Sequence, residues 1–160
     1  MHTVFLSLGG NHDNSIELLK AAISNLQKIA VDDVRCSSYY SSAPWGFEAD
    51  QDFVNCVCKI KTKLKAVEVL KFIQGIEKDL GRIRVGVGYT SRPIDIDILY
   101  FGDQKIETKN LHVPHPRMYD RNFVLVPFNE IWPFWVDPIA KKTISVLLKE
   151  CKDSSVLAKY

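Results

Sequence analysis

The stretch RPIDIDILYF, from Arg92 to Phe101, decides the fold. Its isoleucines alternate with Asp95, Asp97 and Leu99, which is the two-residue period of a β-strand with one apolar face. Because residues two apart share a face, the two aspartates project side by side, with α-carbons roughly 6.6 Å apart. The stretch therefore predicts a strand that buries its isoleucines and presents two carboxylates.

Three more strands are predicted on the N-terminal side of this stretch. Apolar or alternating residues indicate strands at 4–8, 34–42 and 53–61. In the last of these, Val54 and every second residue after it face one way. Asn55 lies on the other, more polar face.

Apolar residues at helical spacing predict two helices, over 14–29 and 66–80. Asn14 and Glu17 have the spacing of a capping pair at the start of the first helix. Gly81 follows the second helix as a C-terminal cap. Gly75 lies inside that helix at a cost of about 1 kcal/mol relative to alanine, which indicates either close packing or a nearby ligand.

The resulting order is β-α-β-β-α-β, followed by a proline-rich C-terminal third. This order predicts an α+β fold with a ferredoxin-like core, in which helices flank one side of an antiparallel sheet. The C-terminal third is expected to be irregular, except for a short helix over 143–151. At 160 residues the chain is expected to form one domain, 1–160.

Composition and charge restrict the classes of function. Lysines and arginines exceed acidic residues by only two, so the overall charge does not predict attachment to nucleic acid or membranes. The chain has no signal-peptide pattern and no apolar stretch of about 20 residues. The four cysteines lack zinc-site spacing and predict free thiols in a reducing, cytoplasmic compartment.

Asp95 and Asp97 are the strongest candidates for chemistry. Paired carboxylates suit Mg²⁺, and two metal ions held there could clamp a polyphosphate. Arg82, Arg84 and Arg92 lie in a glycine-containing loop just before them, and guanidinium groups match phosphate oxygens. The alternative interpretation is an exposed polar strand and a solvated loop. The proximity of the two groups in sequence favours a phosphate site.

Other motifs are weaker. Gly9-Gly10 and the glycines at 86 and 88 lack the remaining residues of a nucleotide-binding loop. His112 and His115 could bind a metal or a phosphate, although an isolated loop histidine is usually structural. The aromatic side chains at 45, 53, 89 and 123 are candidates for the core, but those in loops could cover a flat ligand.

Four motifs together resemble the 6-hydroxymethyl-7,8-dihydropterin pyrophosphokinase family of folate biosynthesis. They are L-G-G-N at 8–11, R-x-x-D-x-D at 92–97, V-P-H at 113–115 and R-x-F at 121–123. The resemblance covers nearly the whole chain. It implies transfer of a diphosphate from ATP to the hydroxymethyl group of a reduced pterin, with release of AMP.

The resemblance also implies roles for particular residues. The implied catalytic residues are Arg82, Arg92, Asp95 and Asp97, of which the two aspartates would hold two Mg²⁺ ions. The residues implied to contact or shape the site of the co-substrate ATP are Gln74, Glu77, Arg84, Tyr89, Ile98, His115 and Arg121. The residues implied to bind the pterin are Ser42, Trp45, Phe53, Asn55 and Phe123. The expected partners are these small molecules alone, bound by a monomer.

Two other functions remain open at this stage. A metal-dependent phosphohydrolase could use the two aspartates with His112 and His115, and it would release phosphate without a pterin. A β-α-β-β-α-β module could instead bind RNA on its sheet, but the RNP1 sequence is missing and the aspartates would repel a phosphate backbone. Product analysis and a nucleic-acid titration distinguish these possibilities.

Overall fold

A six-stranded antiparallel sheet forms the centre of the computed structural model, which describes residues 1–11, 13–42, 52–81 and 93–160. Its first five strands are β1 (His2–Gly10), β2 (Arg35–Cys36), β3 (Tyr40–Ser42), β4 (Phe53–Thr62) and β5 (Asp95–Phe101). Strands β6 (Ile106–Glu107) and β7 (His112–Val113) form a separate two-stranded hairpin. The sixth strand of the main sheet is β8 (Ala158–Lys159).

The strand order is β5-β1-β4-β3-β8, and β2 also pairs with β4. Strand β1 is central and pairs antiparallel with both β4 and β5. The predicted strands at 4–8 and 53–61 are confirmed to within two residues at either end, and the strand predicted within the stretch from Arg92 to Phe101 is confirmed over Asp95–Phe101. The predicted strand at 34–42 is divided into β2 and β3. The short strand β8 was not predicted, since two residues carry no periodicity.

The helices are α1 (Ser15–Leu26), α2 (Ala66–Asp79), α3 (Asn122–Ile131) and α4 (Ile144–Glu150). Helix α1 ends three residues earlier than predicted, and the Asn14 side chain makes no capping hydrogen bond. The cap at Gly81 is confirmed by its φ of +93°. Among the described residues, no atom lies within 4 Å of a Cβ placed at Gly75, so packing against them does not require that glycine. Within the described ranges, no helix combines the length and apolarity needed to cross a membrane.

One face of the sheet is apolar along its whole length. The alternating residues of β1, β4 and β5 that point to this face pack against α1 and α2 in one continuous core. Leu6, Cys56 and Leu19 are completely buried there. This is the face that the isoleucines of the RPIDIDILYF stretch were predicted to bury, and the prediction is confirmed.

The opposite face is covered by α3 and α4 instead of being left open. Phe5, Leu99 and Phe128 meet there in a second core, and the Phe5 and Phe128 rings have centroids 4.7 Å apart. The expectation that helices flank only one side is therefore wrong. Helix α3 was missed because Pro127 lies inside it, and proline is unfavourable in a helix interior. The short helix predicted at 143–151 is confirmed as α4.

Asp137 ties the C-terminal segment to the sheet. It is completely buried, and its carboxylate accepts hydrogen bonds from the hydroxyls of Tyr100, at 2.7 Å, and Tyr119, at 2.6 Å. The backbone N–H groups of residues 139 and 140 also donate to it. The carboxylate is thus fully used as an acceptor, and the irregular chain around it is fixed to β5.

Two of the four cysteines are bonded to each other. Antiparallel pairing of β2 with β4 places Cys36 opposite Cys58, and the two form a disulfide with α-carbons 4.1 Å apart. The prediction of four free thiols is therefore wrong for this pair, because sequence spacing does not reveal which residues a sheet register brings together. Cys56 and Cys151 are free, and burial raises the pKa of the Cys56 thiol to about 12.

Candidate active site

A row of residues crosses the three central strands where β1 ends. Gly9 of β1 is paired with Asn55 of β4 on one side and with Asp95 of β5 on the other. Because paired residues share a face of the sheet, these three positions project to the same side. Asp97 lies two residues after Asp95 on β5, where it is paired with Ser7 of β1. The sheet therefore brings the Asn55 amide together with the carboxylates of Asp95 and Asp97, although Asn55 is far from both aspartates in sequence.

Asn55 is held in a buried position. Its Nδ2 donates a hydrogen bond of 2.9 Å to Oγ of Ser42, and both residues are at most 5% exposed. Phe53, two residues earlier on β4, is half-buried and belongs to the same face. An amide fixed in this way has further donor and acceptor capacity for a ligand.

Phe123 lies in the first turn of α3, which packs against β4. Its ring is half-buried against the second core, and the guanidinium of Arg121 lies 5.4 Å from the ring centroid. An aromatic ring and a planar cation are therefore close together at the start of α3. Such a surface suits a flat heterocycle or a phosphate.

A cavity of about 500 Å³ opens at the β5 edge of the sheet. Five residues that the sequence predicted as functional line it together: Asp95, Asp97, Ile98, His115 and Arg121. The other lining residues were not predicted to bind a ligand, except for His112, which was a weak candidate. They are Leu70, Ile73, Ile96, Asn110, Leu111, His112, Pro116 and Arg117. The lining thus combines charged and apolar residues, which suits a nucleotide.

Glu77 and Gln74 occupy different environments on α2. Glu77 is buried, and its Oε1 accepts a hydrogen bond of 2.8 Å from the backbone N–H of Ile96, between the two aspartates. It therefore supports the strand that carries the carboxylates. Gln74 is exposed and does not line the cavity. The contact of each with ATP stays a prediction.

His115 is uncharged at neutral pH. Burial, together with the charges of Arg121 and Arg117, lowers its pKa to about 4. Its Nδ1 accepts a hydrogen bond of 3.2 Å from the backbone N–H of Arg117. In a neutral imidazole the other nitrogen then carries the proton. His115 can therefore donate a hydrogen bond from Nε2 to a ligand without adding charge to the cavity.

The donor set suits magnesium. Asp95 and Asp97 are partly exposed and supply hard carboxylate oxygens. Among the residues that the structure describes, no group of three or more histidine, cysteine or acidic side chains could hold a metal. Mg²⁺ commonly uses one or two carboxylates and takes its remaining ligands from water and substrate phosphates. The residues present therefore fit a magnesium ion that binds together with a nucleotide.

Five predicted site residues lie outside the described residues: Trp45, Arg82, Arg84, Tyr89 and Arg92. Two groups of residues were missed by sequence reasoning. Leu70 and Ile73 counted only among the apolar residues that predict the helix over 66–80, although they lie on α2 where the core meets the cavity. Gly9 was considered as part of a weak nucleotide-binding motif and of the L-G-G-N motif without a role of its own, and its pairing with both Asn55 and Asp95 becomes evident only from the sheet register.

The sequence and the fold were compared with those of known proteins. The sequence pattern of the 7,8-dihydro-6-hydroxymethylpterin-pyrophosphokinase (HPPK) family matches residues 5–133. The 2-amino-4-hydroxy-6-hydroxymethyldihydropteridine pyrophosphokinase of Aquifex aeolicus is 39% identical over 100% of this chain and 96% of its own length. The protein of the same name from Synechocystis is 37% identical over 97% of this chain and 79% of its own.

The fold is similar to that of solved structures. In the crystal structure of wild-type HPPK-DHPS from Plasmodium falciparum with pteroate, the matching region has a TM-score of 0.74 at 16% sequence identity and covers 93% of this chain. This chain spans only 42% of that longer chain. The similarity confirms the α+β, ferredoxin-like fold with an antiparallel sheet.

Proposed function

This chain belongs to the 7,8-dihydro-6-hydroxymethylpterin-pyrophosphokinase family, and from that premise we propose how its residues divide the reaction between them. The protein is an ATP-dependent diphosphotransferase of folate biosynthesis. It transfers a diphosphate from ATP to the hydroxymethyl group of 6-hydroxymethyl-7,8-dihydropterin and releases AMP. The hydroxymethyl oxygen forms a bond to the β-phosphorus, and the bond between that phosphorus and the oxygen that leaves with AMP breaks.

The pterin binds at the β4 side of the row. Asn55 hydrogen-bonds the edge of the pterin, since Ser42 holds its amide in one orientation. Phe53 and Phe123 provide aromatic surface for the ring, and Trp45 contributes to the same pocket. A flat heterocycle bound by an oriented amide and aromatic side chains has little freedom to move, which aligns its hydroxyl for attack.

ATP binds in the cavity at the β5 side. Ile98 and the apolar wall accommodate the base, while His115 and Arg121 contact the charged part of the nucleotide. Gln74, Glu77, Arg84 and Tyr89 complete the proposed set. Because His115 is neutral, it donates a hydrogen bond there and leaves the positive charge to the arginines.

Asp95 and Asp97 would hold two Mg²⁺ ions, which neutralise phosphate charge and orient the diphosphate when bound. Arg82 and Arg92 stabilise the negative charge that spreads over the transferred group. The protein side chains therefore position the substrates and neutralise the phosphate charge, and none forms a covalent bond with the substrate. We further propose that the chain acts as a cytoplasmic, single-domain monomer that binds neither nucleic acid nor membranes.

The observation that carries this assignment is the row of Asn55, Gly9 and Asp95 across three neighbouring strands. Asn55, the proposed pterin contact, and Asp95, a proposed metal ligand, project to the same face and are separated by a residue without a side chain. This supports binding of the two substrates next to each other, as transfer between them requires.

The test is an assay for AMP with ATP, Mg²⁺ and the reduced pterin. Pterin-dependent AMP without free phosphate supports the proposal. Phosphate release without pterin would indicate a phosphohydrolase. Salt-dependent binding in a nucleic-acid titration would instead indicate an RNA-binding module.

A further inference from the structure

Gly9 lies directly against the functional end of Asn55. A Cβ placed at Gly9 would meet Oδ1 of Asn55 at 2.4 Å, and the nearest backbone atom of β4, the carbonyl oxygen of Val54, at 3.6 Å. The first distance is far below a van der Waals contact, while the second is ordinary. The crowding at this position therefore comes from one side-chain amide and not from the strand backbone.

The neighbouring glycine is crowded by a different part of the molecule. A Cβ at Gly10 would meet the carbonyl oxygen of Pro93 at 2.3 Å, just before β5 begins. The two adjacent glycines therefore leave space for different groups, Gly9 for the Asn55 amide on β4 and Gly10 for the backbone that leads into β5. The steric effect of Gly9 is specific to the amide.

We infer that Gly9 is a positioning residue that sets the orientation of the Asn55 amide and thereby the affinity for the pterin. This inference rests on the proposed contact between Asn55 and the pterin. A methyl group at position 9 would move the Asn55 Oδ1 away from β1. Because the same amide donates to Ser42 at 2.9 Å, the movement would also break that bond. The amide would then lose both its position and its support.

The test is a double-mutant cycle of Gly9→Ala with Asn55→Ala, with KM measured separately for the pterin and for ATP. Gly9→Ala should raise the KM for the pterin about tenfold, as expected for a lost hydrogen bond, and change that for ATP less than about threefold. In the Asn55→Ala background the amide is already absent, so Gly9→Ala should add less than about twofold. Gly75→Ala is the matched control for thermal unfolding, because no atom of the described residues lies within 4 Å of the added methyl group there.

Each outcome decides a separate point. Equal effects of Gly9→Ala with and without the Asn55 amide would overturn the inference, since the methyl group would then act directly on the substrates or the backbone. An unchanged KM for the pterin in Gly9→Ala would overturn it as well. A wild-type protein that forms no pterin-dependent AMP would contradict the proposed function instead.

Loss of folding is also informative. If Gly9→Ala alone does not fold, the double variant should fold, because the shorter side chain at position 55 leaves room for the methyl group. Thermal unfolding of both variants reports this directly. A double variant that fails to fold like the single one would place the clash elsewhere and overturn the inference.

Discussion

The two ends of one sheet face are built by the same three strands but have opposite chemistry. At one end Phe5, Val57 and Leu99 pack beneath α3 in the second core. Toward the other end, β1, β4 and β5 present Gly9, Asn55 and Asp95 instead. The pairing of β1 with β4 is continuous from one end to the other, while that of β1 with β5 shifts register once, between Phe5 and Leu6. The chemistry of the two ends is set by the residue types at alternate positions.

This comparison separates the determinants of fold and function. The opposite face has apolar residues along its full length, because α1 and α2 pack against it in one continuous core. The face beneath α3 needs them only where the helix lies. Polar residues beyond that point leave a site without interrupting the strands. Substitutions at the two ends should therefore affect stability and turnover separately.

The largest effect on stability is expected at the apolar end. Phe128→Ala removes a completely buried ring that contacts Phe5 and Tyr100, at a cost of about 3–5 kcal/mol in unfolding free energy. Urea denaturation measures this loss, while the AMP formed per folded molecule should change little. The control is Phe134→Ala, since that ring is 83% exposed. A large loss of turnover with normal stability would contradict the separation.

The largest effect on turnover is expected at the polar end. Asp95→Ala or Asp97→Ala should lower kcat for AMP formation by about 10²–10³, as expected for loss of a group that stabilises transition-state charge. The melting temperature should stay close to that of the wild type. Asp103→Ala removes an exposed carboxylate just after β5 and is the matched control. Near-normal turnover in either site variant would contradict the assignment of Asp95 and Asp97 as metal ligands.

Asp137 provides a smaller, pH-dependent test of the apolar end. Burial raises its pKa, but the hydrogen bonds from Tyr100, Tyr119 and two backbone amides outweigh this and lower the pKa below its usual value. A lowered pKa in the folded protein stabilises it at pH values above the unfolded pKa of about 3.9, and the stabilisation is lost as the pH falls through the folded value.

Asp137→Asn should therefore cost about 2 kcal/mol at neutral pH, since it removes a charged acceptor. The difference from the wild type should be constant near pH 7 and should narrow below about pH 4. Urea denaturation across this range measures both. Glu107→Gln, at an exposed acid on β6, serves as the control. A difference that persists unchanged in acid would show that the carboxylate charge is not what stabilises this end.

The smallest effect is expected for the Asn55 amide, the proposed hydrogen-bond partner of the pterin. Asn55→Ala removes the hydrogen-bonding group that Ser42 orients, and the KM for the pterin should rise about tenfold, which corresponds to about 1.4 kcal/mol. The KM for ATP should not change, because the cavity residues lie at the β5 side. Steady-state kinetics with each substrate varied in turn checks this. A parallel rise in both constants would mean that the two halves of the site are not separate.

The parts of the fold with strong periodicity could be predicted from the sequence. Strand β1 contains a short apolar run, β4 and β5 alternate, and α2 has a continuous apolar face, so local sequence and tertiary structure agree there. Helix α3 could not be predicted in the same way. Its Pro127 opposes a helix locally, and burial of Val124, Leu125 and Phe128 against the second core outweighs that cost. Only the tertiary structure supplies this term.

The residues of the candidate site also differ in whether local sequence or strand pairing reveals them. Asp95 and Asp97 could be identified because two acids within an apolar strand are unusual. Asn55 lay on the predicted polar face, although its buried bond to Ser42 depends on the pairing of β3 with β4. The disulfide and the role of Gly9 both depend on which residues face each other across strands. A single sequence contains no direct signal for such a register.

The pairing of β1 with β5 also has a consequence for the order of assembly during folding. The two strands are neighbours in the sheet, yet β2 to β4 and the first two helices lie between them in the chain. Contacts between distant segments require closure of a long loop and form slowly. In a refolding experiment we therefore expect helical circular dichroism to recover first. Catalytic competence should return only after β5 has docked, which makes enzymatic activity a reporter of the finished sheet.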